Sequence, residues 1–223
     1  MSSAERAGFV PALGDEAIST AILSDSLDAA GLRAQVLETR LAPLVPGSRL
    51  FGRAWTVRFE PSDADDPADP YGAAIDYISS IGRGEVAVIA TDASNASAFW
   101  GELFSAAAIG AGAAGVVTDG NLRDTPKIEA LGFPAFSHSR RPIDYRARMR
   151  VVATGEPVTI AGVVCRTGDL VLADDDGVVV VPFEREGEVL ERARARLAGE
   201  STVLAELLGG ETLRAVWDRH GIL

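Results

Sequence analysis

The stretch GELFSAAAIGAGAAGVVTDG, residues 101–120, predicts a helix followed at once by a strand. Its first part is rich in small residues and ends on glycines, which is typical of a helix and its carboxyl-terminal stop. Its second part, GVVTDG at 115–120, is a short apolar run with a polar tip, which is typical of a buried strand. A helix that leads directly into a buried strand is half of the repeating unit of a parallel α/β sheet.

The neighbouring segments repeat this alternation with short connections. YGAAIDYISSIG (71–82) and KIEALG (127–132) predict helices, whereas EVAVIATD (85–92) and FPAF (133–136) predict strands. Residues 71–136 therefore predict a parallel sheet with crossover helices.

The flanking segments do not show this helix–strand alternation. A helix stopped by Gly31 is expected over 17–31, a strand over Leu50–Phe59, and an exposed acidic loop over 62–70. Residues 156–182 predict strands only, joined by Gly/Asp turns, and 183–223 predict a C-terminal segment of one or two amphipathic helices. We interpret residues 1–223 as one domain of the α/β class.

The bulk composition excludes several classes of function. The chain has 223 residues, 47% of them hydrophobic, and a net charge of −11. Such a surface repels the phosphate backbone, and the basic run at 140–150 is short and interrupted, so no nucleic-acid partner is expected. No secretory signal is evident and no apolar run is long enough to span a bilayer, so we expect a cytoplasmic protein with no membrane partner.

The single cysteine and the densest acidic run could each belong to a reactive site, but a structural role is the simpler interpretation of both. Cys165 lies in an apolar strand-like run, which favours a buried small side chain over a nucleophile. Asp174, Asp175 and Asp176 precede Gly177 between two apolar runs, which favours a hairpin turn over a metal site.

The stretch VTDGNLRDTP, residues 117–126, carries more charge than a turn needs. Asp119 and Gly120 end a predicted strand, and Arg123 and Asp124 follow directly. Upstream, WGELF (100–104) opens a helix, where Gly101 allows close approach and the amides of Leu103 and Phe104 lack helical partners. Loops at the carboxyl ends of parallel strands meet at one edge of a sheet, so these groups are expected to converge.

Two interpretations of this constellation are equally weighted on the residues alone. Arg123 can clamp a carboxylate with two hydrogen bonds, and Asp124 can ligate a hard cation such as Mg²⁺, a combination that suits a small 2-oxo acid. The alternative is a local Arg-Asp ion pair, with Asp119 capping a turn.

The ordered motifs GELFSAAAIGAGAAGVVTDGNLRD, LGFPAF and GDLVLADDDGVVVVP resemble those of the RraA-like family. That family includes the regulator of ribonuclease activity A and the class II 4-hydroxy-4-methyl-2-oxoglutarate aldolases. The resemblance covers roughly residues 18–182. It implies a swivelling β/β/α fold with mixed parallel and antiparallel sheets and terminal helices, assembled as a homotrimer or a hexamer.

The resemblance also implies site roles. Arg123 matches the arginine that binds the pyruvyl part of the substrate, and Asp124 matches the direct ligand of Mg²⁺ or Mn²⁺. Gly101, Leu103 and Phe104 match the helix start that supplies backbone amides to the substrate. Glu102 matches the catalytic carboxylate of the same helix start, a position that is usually Asp in the aldolases.

One position departs from the aldolase pattern. The aldolases carry an acid three residues after the metal-binding Asp, where this chain has Lys127. Two outcomes are open: the ammonium group repels the metal, or Lys127 points to solvent from the first turn of a short helix. The aldolases also use a carboxylate from the C-terminal region of a neighbouring subunit. Glu200 and Glu206 are the candidates for that carboxylate here, and no motif decides between them.

The resemblance implies a divalent-metal-dependent lyase that acts on a small 2-oxo acid and releases pyruvate. The alternative is a non-catalytic regulator that binds a protein partner such as a ribonuclease, since an acidic surface suits a basic segment. A recruited biosynthetic enzyme that uses the same site is a third possibility.

Overall fold

A computed structural model describes residues 15–64 and 66–222, without the side chain of Glu16. Six α-helices lie along the described chain, with short 3₁₀ turns at Asp15–Ala17 and Phe183–Arg185. The helices are α1 (Thr20–Ala29), α2 (Gly72–Ser79), α3 (Glu102–Ala111), α4 (Thr125–Leu131), α5 (Glu186–Leu208) and α6 (Leu213–His220). The strands are β1 (Ala42–Pro43), β2 (Leu50–Pro61), β3 (Glu85–Ala90), β4 (Ala98–Trp100), β5 (Gly115–Leu122), β6 (Ala135–Arg140), β7 (Met149–Thr154), β8 (Val158–Ile160), β9 (Val163–Cys165), β10 (Leu170–Asp174) and β11 (Gly177–Val181).

The centre of the molecule is the parallel sheet that the alternating sequence predicts. Strands run in the order β1-β6-β5-β3-β2-β10-β11, and β2, β3, β5 and β6 are mutually parallel neighbours. Strand β3 is buried at every position, as expected of a strand covered on both faces. The predicted α/β class is confirmed, and β5 extends two residues beyond the predicted end at Gly120, to Leu122.

The later, strand-only part of the chain forms the antiparallel side of the same sheet. Strand β10 pairs antiparallel with both β2 and β11, and β8 and β9 form a separate two-stranded sheet. The expected hairpin is confirmed, because Asp174 lies opposite Gly177. The Asp174 carboxylate accepts hydrogen bonds from the backbone N–H (2.9 Å) and hydroxyl (2.6 Å) of Thr20, which ties the hairpin to the start of α1. The acidic run is thus used for structure.

Three strands are absent from the sequence-based description: β1, β4 and β7. Strands β1 and β4 have two and three residues, too few for a periodic pattern to emerge. In β7, MRVVAT alternates only partly, and it pairs with the far half of the long strand β2. Strand β4 matters most for the site, since it runs parallel to the end of β5, with Trp100 opposite Leu122.

The buried side chains lie on both faces of the sheet and beneath the terminal helices. Cys165 is fully buried, as predicted, and burial raises the pKa of its thiol well above the ordinary value. The helices described do not include one that is long and apolar enough to cross a membrane.

Asp119 stabilises the loop that follows β3. Its carboxylate is 2% exposed and accepts hydrogen bonds from the Thr91 N–H (2.7 Å), the Thr91 hydroxyl (2.8 Å) and the Ala93 N–H (3.1 Å). Ala93 has a left-handed backbone, with φ of 53°. The carboxylate therefore compensates a loop conformation that an L-residue adopts at some cost.

Replacing Asp119 by Ala leaves these buried donors without an acceptor. We expect Asp119→Ala to lower the free energy of unfolding by about 1–3 kcal/mol. Urea denaturation measures it. The matched control is Asp218→Ala, which removes an exposed ion pair with Arg214 and should cost less than about 0.5 kcal/mol. Equal midpoints for the two variants would contradict the structural role of Asp119.

Candidate active site

The parallel pairing of β4 with the end of β5 brings two distant segments together. The N–H of Arg123 donates to the carbonyl of Trp100 at 2.9 Å, so the Arg-Asp segment begins where β4 ends. Gly101 follows Trp100 and occupies the N-cap position of α3. The amino end of α3 and the Arg123-Asp124 pair therefore lie side by side, as the sequence analysis expected of loops at the carboxyl ends of parallel strands.

The side chains of Asp124 and Arg123 pack so closely against position 101 that only glycine fits there without a shift. A Cβ atom there would lie 2.8 Å from Asp124 Oδ2 and 3.2 Å from Arg123 Cγ. The backbone φ of −155° is accessible to any residue, so the requirement is one of space alone. No side chain caps α3. Its first-turn amides are therefore positioned beside the Arg-Asp pair, where an anionic group can accept from them.

Asp124 presents its carboxylate through an uncommon backbone conformation. It has φ of 54° and ψ of 28°, in the left-handed region, and it occupies the N-cap position of α4 without capping it. Its side chain is 44% exposed. A capping Asp would be engaged with backbone N–H groups, whereas this one remains available to another ligand. Aspartate is among the residues that tolerate this region best, so the conformation costs little.

Arg123 is held by a second carboxylate that sequence reasoning missed. Its Nη1 lies 3.3 Å from Asp144 Oδ2 and its Nε lies 3.8 Å from Asp124 Oδ2. The hydroxyl of Tyr71 donates to Asp144 Oδ2 at 2.5 Å. Burial alone would raise the pKa of Asp144, but the Tyr71 hydrogen bond and the Arg123 charge outweigh it, and the pKa lies below its ordinary value. Asp144 is therefore ionised and anchors the guanidinium group.

Lys127 and Glu102 form an ion pair beside Asp124. Lys127 Nζ donates to Glu102 Oε2 at 2.7 Å, and this hydrogen bond raises the pKa of the ammonium group. The lysine side chain is 64% exposed, so it is solvated as well as paired. Both sequence-based alternatives for Lys127 missed this partner, which lies 25 residues away in the chain.

The donor set suits a cation that keeps most of its waters. Within the described ranges, no group of three or more His, Cys, Asp or Glu side chains could hold a metal ion. At most two such side chains would therefore ligate a cation here, and Asp124 is the exposed carboxylate of the cleft lining. Mg²⁺ accepts such a site, since it is often bound through one or two carboxylates with water in the remaining positions.

A cleft of about 480 Å³ opens next to these groups. It is lined by Gly101, Leu103, Phe104, Arg123 and Asp124, all of which the sequence analysis assigned to the site. Glu102 is next to the cleft without lining it, and Asp119 belongs to the neighbouring loop. Tyr71 and Tyr145 also line the cleft and were not expected, since they come from segments that only the folded chain brings here.

Together these features define a mixed α/β protein with a cleft at the carboxyl edge of its parallel strands. The chain belongs to the RraA-like family, described as Aldolase/RraA, which matches residues 20–180. The predicted family and fold class are thus confirmed.

Two relatives illustrate the family. A protein of Halalkalibacterium halodurans named provisionally as a 4-hydroxy-4-methyl-2-oxoglutarate aldolase is 31% identical over 183 residues, which cover 82% of this chain and 81% of that protein. Protein DlpA of Legionella pneumophila is 29% identical over 195 residues, or 87% of this chain. The match spans only 31% of the length of Protein DlpA.

Solved structures share the fold. An uncharacterized protein from Pseudomonas syringae pv. tomato superposes with a TM-score of 0.81 at 31% identity, over 91% of this chain and 94% of that one. Streptomyces coelicolor RraAS2, described as an unusual member of the RNase ES inhibitor RraA protein family, gives 0.74 at 28% identity, over 87% and 98% of the two chains. Names within the family thus include both an aldolase and a ribonuclease inhibitor.

A methyl group at position 101 should move the Asp124 carboxylate without unfolding the protein. The atoms that the new Cβ would meet belong to side chains, so they can shift at little cost to the fold. A crystal structure of Gly101→Ala should show Asp124 displaced, and its melting temperature should stay close to that of the parent protein.

Gly110→Ala is the matched control, because a Cβ there meets nothing within 4 Å in the same helix. It should leave the site unchanged and stabilise the protein by about 0.5–1 kcal/mol. An Asp124 carboxylate in its original position in Gly101→Ala would refute the steric account of this glycine.

Proposed function

We propose that this protein is a divalent-metal-dependent lyase that cleaves a small 2-oxo acid and releases pyruvate. One observation carries the proposal: Arg123 and Asp124 lie against Gly101 at a cleft, with a helix amino end beside them. A cationic clamp, a cation ligand and free amides are what a 2-oxo carboxylate requires. The likeness to a relative named as an aldolase supports the same conclusion.

Arg123 binds the substrate carboxylate. The guanidinium group has five N–H donors in a planar fork, so contacts with Asp144 and Asp124 leave donors for a ligand. Asp144 fixes the plane of the fork, and the Tyr71 hydroxyl fixes Asp144. A clamp positioned in this way loses less conformational freedom on binding than a mobile arginine would.

Asp124 would hold Mg²⁺ or Mn²⁺. When bound, the cation supplies Lewis-acid polarisation of the 2-oxo group and stabilises the negative charge that develops on C–C cleavage. The cleft lining within the described chain holds no histidine, and in the proposed reaction solvent handles the proton, with the Glu102 carboxylate next to the cleft. Lys127 pairs with that carboxylate beside the cleft.

A non-catalytic regulatory role is the second candidate. It is favoured by Lys127, which occupies the position of the aldolase acid and engages Glu102, and by the likeness to RraAS2. In that case the acidic chain would bind a basic segment of a protein partner. Absence of pyruvate release under every metal condition would favour this role over the lyase.

We also propose that the protein is a homotrimer or a hexamer. The C-terminal helices α5 and α6 leave large apolar side chains exposed: Leu204, Leu208, Leu213 and Trp217. A second copy of the chain would cover such a surface. Neither candidate carboxylate for a neighbouring site is unengaged within its own chain, since Glu200 pairs with Arg196 at 2.7 Å and Glu206 with Arg219 at 2.6 Å.

Removing the Asp124 carboxylate should abolish metal-dependent turnover. Pyruvate release from oxaloacetate and from a 4-hydroxy-2-oxo acid is measured with Mg²⁺ and after chelation, for the parent protein and for Asp124→Ala. We expect activity only in the parent protein with metal, and unchanged circular dichroism in the variant. Full metal-dependent activity in Asp124→Ala would remove the proposed ligand role.

Removing the Lys127 charge should strengthen Mg²⁺ binding several-fold. The ammonium group lies close enough to Asp124 for their charges to interact, and a cation there opposes a second cation. Isothermal titration with Mg²⁺ compares the parent protein with Lys127→Met. Lys127→Arg retains the charge and serves as the control, with affinity near that of the parent. Superimposable titrations for all three proteins would mean that Lys127 does not affect the metal.

A further inference from the structure

The cleft beside Arg123 and Asp124 is mainly apolar away from that pair. Its walls include Ile75 on α2, Phe99 and Trp100 on β4, and Leu103 and Phe104 on α3. Leu103 and Ile75 are 79% and 50% exposed at the rim, whereas Trp100 is 1% exposed in the wall. Clefts of about 300–1,000 Å³ enclose small organic ligands, and this one has about 480 Å³. Its volume therefore exceeds what pyruvate alone would fill.

The proposed reaction already uses both charged groups of the lining, Arg123 for the carboxylate of the pyruvyl part and Asp124 for the cation. Among the lining residues in the described ranges, only Arg123 and Asp124 carry a charge. Outside the lining, Lys127 is paired with Glu102, and Arg146, whose charge reaches Tyr71, has a partner of its own. A substrate whose second carboxylate lies inside the cleft would place that charge against Phe99 and Phe104, without a counter-ion among the lining residues. Burying an unpaired charge is strongly unfavourable, whereas an apolar group gains from the same surface.

One neutral polar group interrupts the apolar wall. Tyr145 lines the cleft, its side chain is 6% exposed, and its hydroxyl has no hydrogen-bond partner within the described chain. Burial raises the pKa of this hydroxyl, so it remains a neutral donor and acceptor. The other tyrosine of the lining, Tyr71, is engaged with Asp144. A buried hydroxyl without a partner matches a ligand with one uncharged polar atom near its apolar end.

From these observations we infer that the substrates are 4-hydroxy-2-oxo acids whose C4 substituent is uncharged and apolar, such as an aryl or branched alkyl group. This inference rests on the proposed lyase function and assigns its substrate class. The C3–C4 bond breaks, and the C4 hydroxyl loses its proton to become the carbonyl of an apolar aldehyde. C3 keeps the electron pair of that bond and takes up a proton, which gives pyruvate. No oxidant or reductant is needed.

The direct test compares two 4-hydroxy-2-oxo acids that differ in the charge of the group on C4. With Mg²⁺, kcat/KM for pyruvate release is measured for 4-hydroxy-2-oxo-4-phenylbutanoate and for 4-hydroxy-4-methyl-2-oxoglutarate. We expect the phenyl substrate to be preferred by about 10- to 100-fold, the range in which apolar pockets discriminate. Equal or reversed preference would overturn this inference and leave the lyase function standing. No pyruvate from either substrate, or from oxaloacetate, would overturn both.

A substitution at Ile75 can add a cation at the rim of the cleft, where the second carboxylate of a dicarboxylate substrate would lie. Ile75→Arg should lower the preference for the phenyl substrate at least severalfold, because the new guanidinium pairs with the dicarboxylate and shortens the apolar wall. Ile109→Arg adds the same charge to the exposed surface of α3, outside the cleft lining, and should leave the preference unchanged. Sedimentation checks that Ile75→Arg is assembled like the parent protein. An unchanged substrate preference in a variant that passes this check would contradict the proposed substrate class.

Binding without turnover gives an independent readout. The non-cleavable acids 2-oxo-4-phenylbutanoate and 2-oxoglutarate differ chiefly in the aryl group and the second carboxylate. Isothermal titration in the presence of Mg²⁺ should show the aryl acid binding about tenfold more tightly or better. Tighter binding of 2-oxoglutarate would overturn the apolar substrate class, whichever substrate is cleaved.

Discussion

The contact between Gly101 and the Arg123-Asp124 pair determines the geometry of the site. Two segments meet there, the end of β4 and the end of β5, and the parallel pairing of Trp100 with Leu122 sets their register. Without a side chain at 101, the carboxylate of Asp124 can lie directly against the amino end of α3. The positions of Asp124, Arg123 and the first-turn amides of α3 depend on this one close approach, because any larger residue would separate them.

Around that contact the charges are arranged in two groups. Arg123 is anchored on Asp144, which in turn accepts from Tyr71, and Glu102 is anchored on Lys127. The first group presents a guanidinium group in a fixed orientation. The second neutralises a carboxylate that, in the aldolase pattern, would face the metal together with a further acid. The balance of charge near Asp124 is therefore less negative than the family pattern implies, which bears on metal affinity more than on substrate binding.

Much of the fold could be predicted because its signals are local. Apolar runs such as EVAVIA and small-residue helices repeat along 71–136, and each carries its own periodicity. Strand β4 escaped prediction because three residues, AFW, carry no period, and it is a strand only by pairing with β5. The Asp174–Gly177 hairpin was predictable because its turn chemistry lies within four consecutive residues.

The residues of the candidate site also fall into a group that could be predicted locally and a group that could not. Gly101, Arg123 and Asp124 stand at element ends, where strand order alone indicates convergence. An isolated bridge between Asp144 and Ala98 brings Asp144 to Arg123 and Tyr145 to the cleft lining, and no local sequence pattern predicts it. The ion pair of Glu102 with Lys127 joins residues on two different helices, so it depends on how α3 and α4 pack.

The most direct test of the central claim is a crystal structure with Mg²⁺ and pyruvate at the cleft. The account predicts that Asp124 ligates the cation with water in most other positions, and that the pyruvate carboxylate accepts from Arg123 and from the amides of Leu103 and Phe104. A cation bound away from Asp124, or pyruvate bound elsewhere while Arg123 contacts only Asp144 and Asp124, would contradict it.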